Sequence, residues 1–193
     1  MMKNISEQIE KIYADKAGKT TTSRKCIADY WEDNNHYDGK VAVNVKSNDI
    51  NKQNFLPRLV SCRPAYDFLL DYRNELKFIF VDYKNVDGNL ILVDDSNPIH
   101  IEAIDWKYMS IQCQGDGFLA LNTKTLTQGA NMNRWQILRD KKPSRDEWLE
   151  EFRGHYIEYI RKENLKLQRN LQYFSVGCQQ LDKAKEVMEE LVA

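Results

Sequence analysis

From Lys40 to Lys46 the chain reads Lys-Val-Ala-Val-Asn-Val-Lys, with Val41, Val43 and Val45 alternating against Lys40, Ala42, Asn44 and Lys46. A period of two belongs to an extended strand and not to a helix. A strand with one apolar face must pair sideways and be covered, so this segment commits the chain to a sheet with other elements packed on it. A second apolar run, Phe78-Ile79-Phe80-Val81, predicts a neighbouring strand. Asp87-Gly88 then predicts a hairpin turn, with Leu90 to Val93 as the returning strand. Shorter strands are predicted at Ile99 to Ile104, Ser110 to Cys113 and Phe118 to Leu121, with Gly115 and Gly117 turning the last pair.

Helices are predicted around this sheet. Ile5, Ile9 and Ile12 recur at helical spacing, and Cys26, Ile27, Tyr30 and Trp31 suggest a second N-terminal helix. Tyr66, Leu69 and Leu70 mark another. Ser144 and Glu147 have the spacing of a capping box, opening a long helix striped by Phe152, Tyr156, Tyr159, Ile160, Leu167 and Leu171. Gly177 is expected to separate it from a terminal helix over Leu181 to Leu191. The expectation is one α/β domain over residues 1–193: a central mixed sheet, flanking helices and a long C-terminal helix.

Composition narrows the functional classes. The chain has 193 residues, 42% of them hydrophobic and 30% charged, which supports a packed core and excludes a disordered chain. Net charge is −1, so any nucleic-acid contact must come from a local patch. Cys26, Cys62, Cys113 and Cys178 are scattered without zinc-site spacing. His36, His100 and His155 show no ligand-like spacing either. With no long apolar run, the expectation is a cytoplasmic protein with reduced cysteines and no membrane partner.

The strand carries the chemistry. Phosphodiester hydrolysis needs oxygen ligands for a divalent cation and a positive group beside the phosphate or the attacking water. Asp38 stands at the strand entry, and Asn44 and Lys46 share a face two residues apart, so the three are expected to converge. The pattern resembles the PD-(D/E)xK nuclease superfamily, with Asn44 where that family carries its second acid. The likeness extends to type II restriction endonucleases, nearest to the GTYRAC-cleaving branch. It runs from Asn44 through Ile50 and Leu56 to Ser61, and again at Arg145-Asp146-Glu147-Trp148.

That resemblance implies Mg²⁺-dependent cleavage of double-stranded DNA by a homodimer, with Asp38, Asn44 and the Val45 carbonyl holding Mg²⁺ and Lys46 serving the attacking water. It also implies that the segment after the strand reads DNA. Ser47, Asn48, Asn51, Gln53 and Asn54 supply polar groups there, Phe55 a wedge against the bases, and Arg58 a base-reading fork. Gln112 and Gln114, alternating on one face of a predicted strand, form a second candidate element.

Competing readings stay open. Acid-x-Lys triplets recur at Asp82–Lys84 and Asp105–Lys107, the first read as solvated and the second as the runner-up site. Asp38-Gly39 is also an ordinary turn pair, and Glu32 is a further acid that could complete the site. Asn44 brings no charge, which favours an alternative in which the chain is a catalytically inactive DNA-binding module on a nuclease-like fold.

Overall fold

The computed structural model describes residues 4–22, 27–34, 38–51, 58–113, 119–123, 138–139 and 141–192. The chain, read from sequence as one domain, divides into two compact units, Met1–Leu149 and Glu150–Ala193.

The first unit is built on a mixed sheet. Its strands are β1 (Tyr30–Asp33), β2 (Lys40–Asp49), β4 (Glu75–Val86) and β5 (Asn89–Asp95) in that spatial order, with β6 (Ile99–His100) also paired to β4. β2 and β4 run parallel, with Val41 opposite Glu75 and Asp49 opposite Tyr83, while β1, β5 and β6 pair antiparallel. A smaller antiparallel sheet joins β3 (Arg58–Ser61), β8 (Leu119–Thr123) and β7 (Met109–Cys113) in the order β3-β8-β7.

Helix α1 (Ile5–Lys16) covers one face of the larger sheet. Ile9, Tyr13 and Ala14 pack into a core with Val41, Val43 and Val45 of β2 and Ile79, Val81 and Tyr83 of β4. The opposite face of β4 carries Leu76, Phe78 and Phe80, all buried, and the Phe78 and Phe80 rings stack 6.3 Å apart. The sheet is therefore buried on both sides at β2. This overturns the half-buried strand expected from its alternation, because Ala42 and Asn44 are as enclosed as the valines.

Several other expectations change. The second N-terminal helix is absent among the described residues; Tyr30 and Trp31 lie in β1, paired with Val43 and Ala42. A helical spacing over so few residues is also compatible with a strand, and aromatic residues favour the strand once a partner is present. β2 runs on through Ser47 to Asp49, past the Lys46 at which the alternating pattern ends. Only Ile99 and His100 of the Ile99–Ile104 segment pair as strand, since Ile101–Ala103 tightens into a 3₁₀ turn. The predicted Gly115–Gly117 turn lies outside the described residues.

The local signals are reproduced. Asp87 and Gly88 both have positive φ, 52° and 84°, as a two-residue hairpin between twisted strands requires. Helix α2 spans Cys62–Leu69. At the start of α3 (Arg145–Val192), the Ser144 N–H donates to Glu147 Oε2 at 2.8 Å and the Glu147 N–H donates to Ser144 Oγ at 3.3 Å, the reciprocal capping box. Arg145 anchors that first turn: it pairs with buried Glu102 and donates to the carbonyls of Leu69, at 3.1 Å, and Asn74, at 3.0 Å. α3 continues through Gly177 without a break, because one glycine costs a long helix only about 1 kcal/mol. No helix among the described residues is long and apolar enough to cross a membrane.

Candidate active site at the end of β2

The site follows from where β1 stops. Tyr30 is its first paired residue, opposite Val43, so the next outward-facing N–H on that edge of β2, at Val45, has no strand partner. Asp29 fills the position. Its backbone N–H donates to the Val43 carbonyl at 2.9 Å, and its carboxylate Oδ2 accepts the Val45 N–H at 2.6 Å. A side chain thereby continues the backbone ladder and is held against β2 by it.

Asn44 and Lys46 complete the cluster. Lys46 Nζ donates to Asn44 Oδ1 at 3.0 Å, and Asn44 Nδ2 donates to the Ile27 carbonyl. Burial pushes the Lys46 pKa below its usual value against the opposing pull of Asp29 and then Glu10, with Arg58 adding to the depression. Burial likewise pushes the Asp29 carboxyl up, offset by Lys46 and by the Val45 N–H. Glu10, on α1, is raised from 4.5 to about 7, first by burial and then by repulsion from Asp29, with Lys46 opposing. Two acids, an amide and a lysine therefore share one field. Such mutually perturbed groups are what a site for charged chemistry contains.

Glu10 makes the first prediction. Its folded pKa lies above its unfolded one, so its contribution to stability is fully present below about pH 4.5 and is lost as pH rises through about 7. The full shift corresponds to about 3 kcal/mol, and solvent screening of a half-exposed side chain reduces this to roughly 1–2 kcal/mol. Glu10→Gln is expected to remove that pH dependence and to be more stable than the parent at pH 8 by this amount. Urea unfolding at pH 5 and pH 8 in metal-free buffer checks it; an unchanged difference between the two pH values would dissociate Glu10 from the cluster.

The structure does not bring Asp38 to this cluster. Asp38 lies beyond Lys40, which is itself roughly 13 Å along the strand from Asn44. It borders a depression with Trp31, Asp71 and Arg73, and its charge acts on Arg73. Gly39 beside it passes so close to Arg73 that an added Cβ would fall 2.0 Å from the Arg73 carbonyl oxygen, so Asp38-Gly39 belongs to a tight chain crossing. Glu32 is on β1, bordering a second cavity with Glu75, Lys77 and His100. The nearby acids are instead Asp29 and Glu10, which the sequence reading missed.

The remaining candidates scatter. Ser47 Oγ is 3.2 Å from Ser6 Oγ, Asn48 Nδ2 donates to Asp82 Oδ1 at 3.1 Å, and Asn51 N–H is held by Asp49 Oδ1 at 3.1 Å. Arg58 is on β3, where its guanidinium donates to Ser61 Oγ and its charge reaches Lys46. Gln112 is exposed on β7 and donates to Ser110 Oγ at 3.3 Å. Gln53, Asn54, Phe55, Gln114 and His36 lie outside the described residues. Of the competing triplets, Asp105 caps a 3₁₀ turn by accepting the Lys107 N–H at 2.9 Å, with Lys107 Nζ 3.4 Å from its carboxylate. That pair is a local cap.

The donor set suits a hard cation. Glu10, Asp29 and Asn44 Oδ1 offer only oxygen, as Mg²⁺ prefers, and the repulsion between the two acids is what a cation would relieve. Among the described residues no group of three or more His, Cys, Asp or Glu is gathered for a metal. The set is thus two carboxylates and an amide.

Fold and site together define an α/β protein with a charged polar cluster on a parallel pair of strands. No protein-family model matches the chain, and none of the curated proteins matches it. Among solved structures, NlaIV restriction endonuclease is similar over 82% of this chain and 74% of that one, at 11% sequence identity and a TM-score of 0.43. A likeness this distant leaves the chemistry to be argued from the residues themselves.

Proposed function

We propose that this chain is a Mg²⁺-dependent endonuclease acting on double-stranded DNA. The observation that carries the reading is that Asp29, Asn44 and Lys46 are held together at one end of β2, with the charge of Glu10 acting on Lys46. An acid held against the strand, followed on the strand by an oxygen donor and a lysine two residues later, is the arrangement the PD-(D/E)xK resemblance implies, with Asp29 in the part first given to Asp38. Mg²⁺ would be held by Asp29, Asn44 Oδ1 and Glu10, with the Val45 carbonyl as a further oxygen, and when bound it supplies charge stabilisation at the phosphate and acidification of water.

The chain's own residues have distinct tasks. Asp29 is fixed by the Val45 N–H, so its second oxygen has a defined direction. Lys46, with its proton affinity lowered by burial, would hold the attacking water or the phosphate oxygen and stabilise the charge that develops there. Arg58 adds positive charge from the side of β3 and is suited to a phosphate or a guanine edge. Ser47, Asn48, Asn51, Gln112 and the segment containing Gln53, Asn54 and Phe55 are the proposed DNA contacts. Cutting both strands of a symmetric sequence would call for a homodimer.

Asn44 favours a second reading, a non-cleaving DNA-binding module. Its amide is used at both ends, by Ile27 and by Lys46, so it is satisfied without any metal. Plasmid DNA incubated with the purified protein and Mg²⁺ separates the two: discrete linear products with defined ends support the endonuclease, and salt-sensitive binding without cleavage supports the module.

A further inference from the structure

The second unit, Glu150–Ala193, carries an apolar seam that none of the chemistry above uses. Ile157, Ile160, Leu167, Leu171 and Phe174 recur on one side of α3 and are all exposed, Leu171 and Phe174 each at 68%. With Asn164 they form an unbroken heptad series: Ile157, Asn164 and Leu171 at a positions, and Ile160, Leu167 and Phe174 at d positions. In the sequence the same spacing runs on through Cys178, Leu181, Lys185, Met188 and Val192, the last residue of the helix. Charged partners stand off the seam: Glu158 pairs with Lys162 at 2.7 Å, and Lys166 with Glu163.

We infer that this seam is a two-stranded, parallel, in-register coiled coil between two copies of the chain. Three features favour a second copy as the occupant. A seam of period 3.5 is complementary to itself, since each a or d side chain fits between residues of an identical helix. Asn164 finds a like amide only opposite its own copy in a parallel, in-register pair, and a lone Asn at an a position selects two strands. The e and g flanks raise no barrier: Tyr156 would face Arg161, Glu163 would face Gln168 and Asn170 would face Ser175, so none of these pairs sets like charges together. The a, d, e and g positions from Ile157 onward involve on the order of twenty residues per helix, the scale of a stable interface of about 800 Å² per partner. The pairing holds whether or not the chain cuts DNA.

Mass by sedimentation tests it on the full chain. The unsubstituted protein at tens of micromolar should have twice the 22.8 kDa chain mass. Leu171→Glu should shift it to the single-chain mass, and Leu165→Gln, also exposed but off the seam, should leave it doubled. Because Leu171 is exposed, its replacement should leave the circular dichroism of the first unit's sheet in place. Ile160→Cys should become a covalent dimer on mild oxidation, beyond any crosslinking of the unsubstituted chain, because parallel helices set position 160 against itself. A single-chain mass for the unsubstituted protein, a doubled mass that survives Leu171→Glu, or an Ile160→Cys chain that gains no crosslink would each overturn the inference.

Discussion

Lys46→Ala is expected to abolish cleavage, with a rate loss of about 100-fold or more, while the protein stays folded and keeps most of its DNA affinity. The charge of Lys46 acts on both Asp29 and Glu10, so its removal leaves two acids uncompensated and, on the proposed mechanism, takes away the positive group at the reacting phosphate. Lys46→Arg should not restore the rate, because a guanidinium stays protonated and has a different reach. The rate is read on plasmid DNA with Mg²⁺, in whichever form of the protein cuts, and affinity is read separately with Ca²⁺ in place of Mg²⁺. Full cleavage by Lys46→Ala would remove this cluster from the chemistry altogether.

The second large effect is expected at Asn44, where the fold and the proposed metal would make opposite demands. The amide NH₂ donates to the Ile27 carbonyl, and an Asp there has no proton to give, so Asn44→Asp should cost about 1–3 kcal/mol in metal-free buffer. The same change adds a negative charge beside Asp29 and Lys46, which should raise Mg²⁺ affinity. Melting curves should show the substituted protein less stable without metal and gaining more than its parent from each increment of Mg²⁺. If the parent does not cut, cleavage should appear in Asn44→Asp; if the parent cuts, the substituted form should do so at lower Mg²⁺. A variant with unchanged metal dependence in both stability and cleavage would return Asn44 to a purely structural role.

What could be read from the sequence was what is local. The capping box at Ser144 and Glu147 and the turn at Asp87-Gly88 depend on neighbours a few residues apart, and both are present as read. The strand at Lys40–Lys46 was legible because an alternating apolar pattern has few other uses. Asn44 and Lys46 followed from it as one-face neighbours. The acids did not. Asp29 acquires its role from the point at which β1 stops pairing with β2, a tertiary event with no local signature. Glu10 sits in mid-helix, and only the packing of α1 on the sheet brings its charge to Lys46. Asp38 had the more suggestive position in the text, next to the strand, but an extended chain puts sequence neighbours far apart, and its turn is fastened to Arg73.

The ladder bond from Val45 to Asp29 has an evolutionary consequence. An acid that serves only a metal can drift to another residue as soon as the chemistry is no longer selected. Asp29 also terminates a row of backbone hydrogen bonds, so replacing it with an apolar residue would strand a buried N–H at about 1–3 kcal/mol, whatever the fate of the activity. If the proposed metal role holds, position 29 answers to two separate demands, and position 44, where an amide satisfies the fold by donating to the Ile27 carbonyl, answers to conflicting ones. In a lineage that stopped cutting, the acid at 29 would persist as architecture long after the charge at 44 had gone.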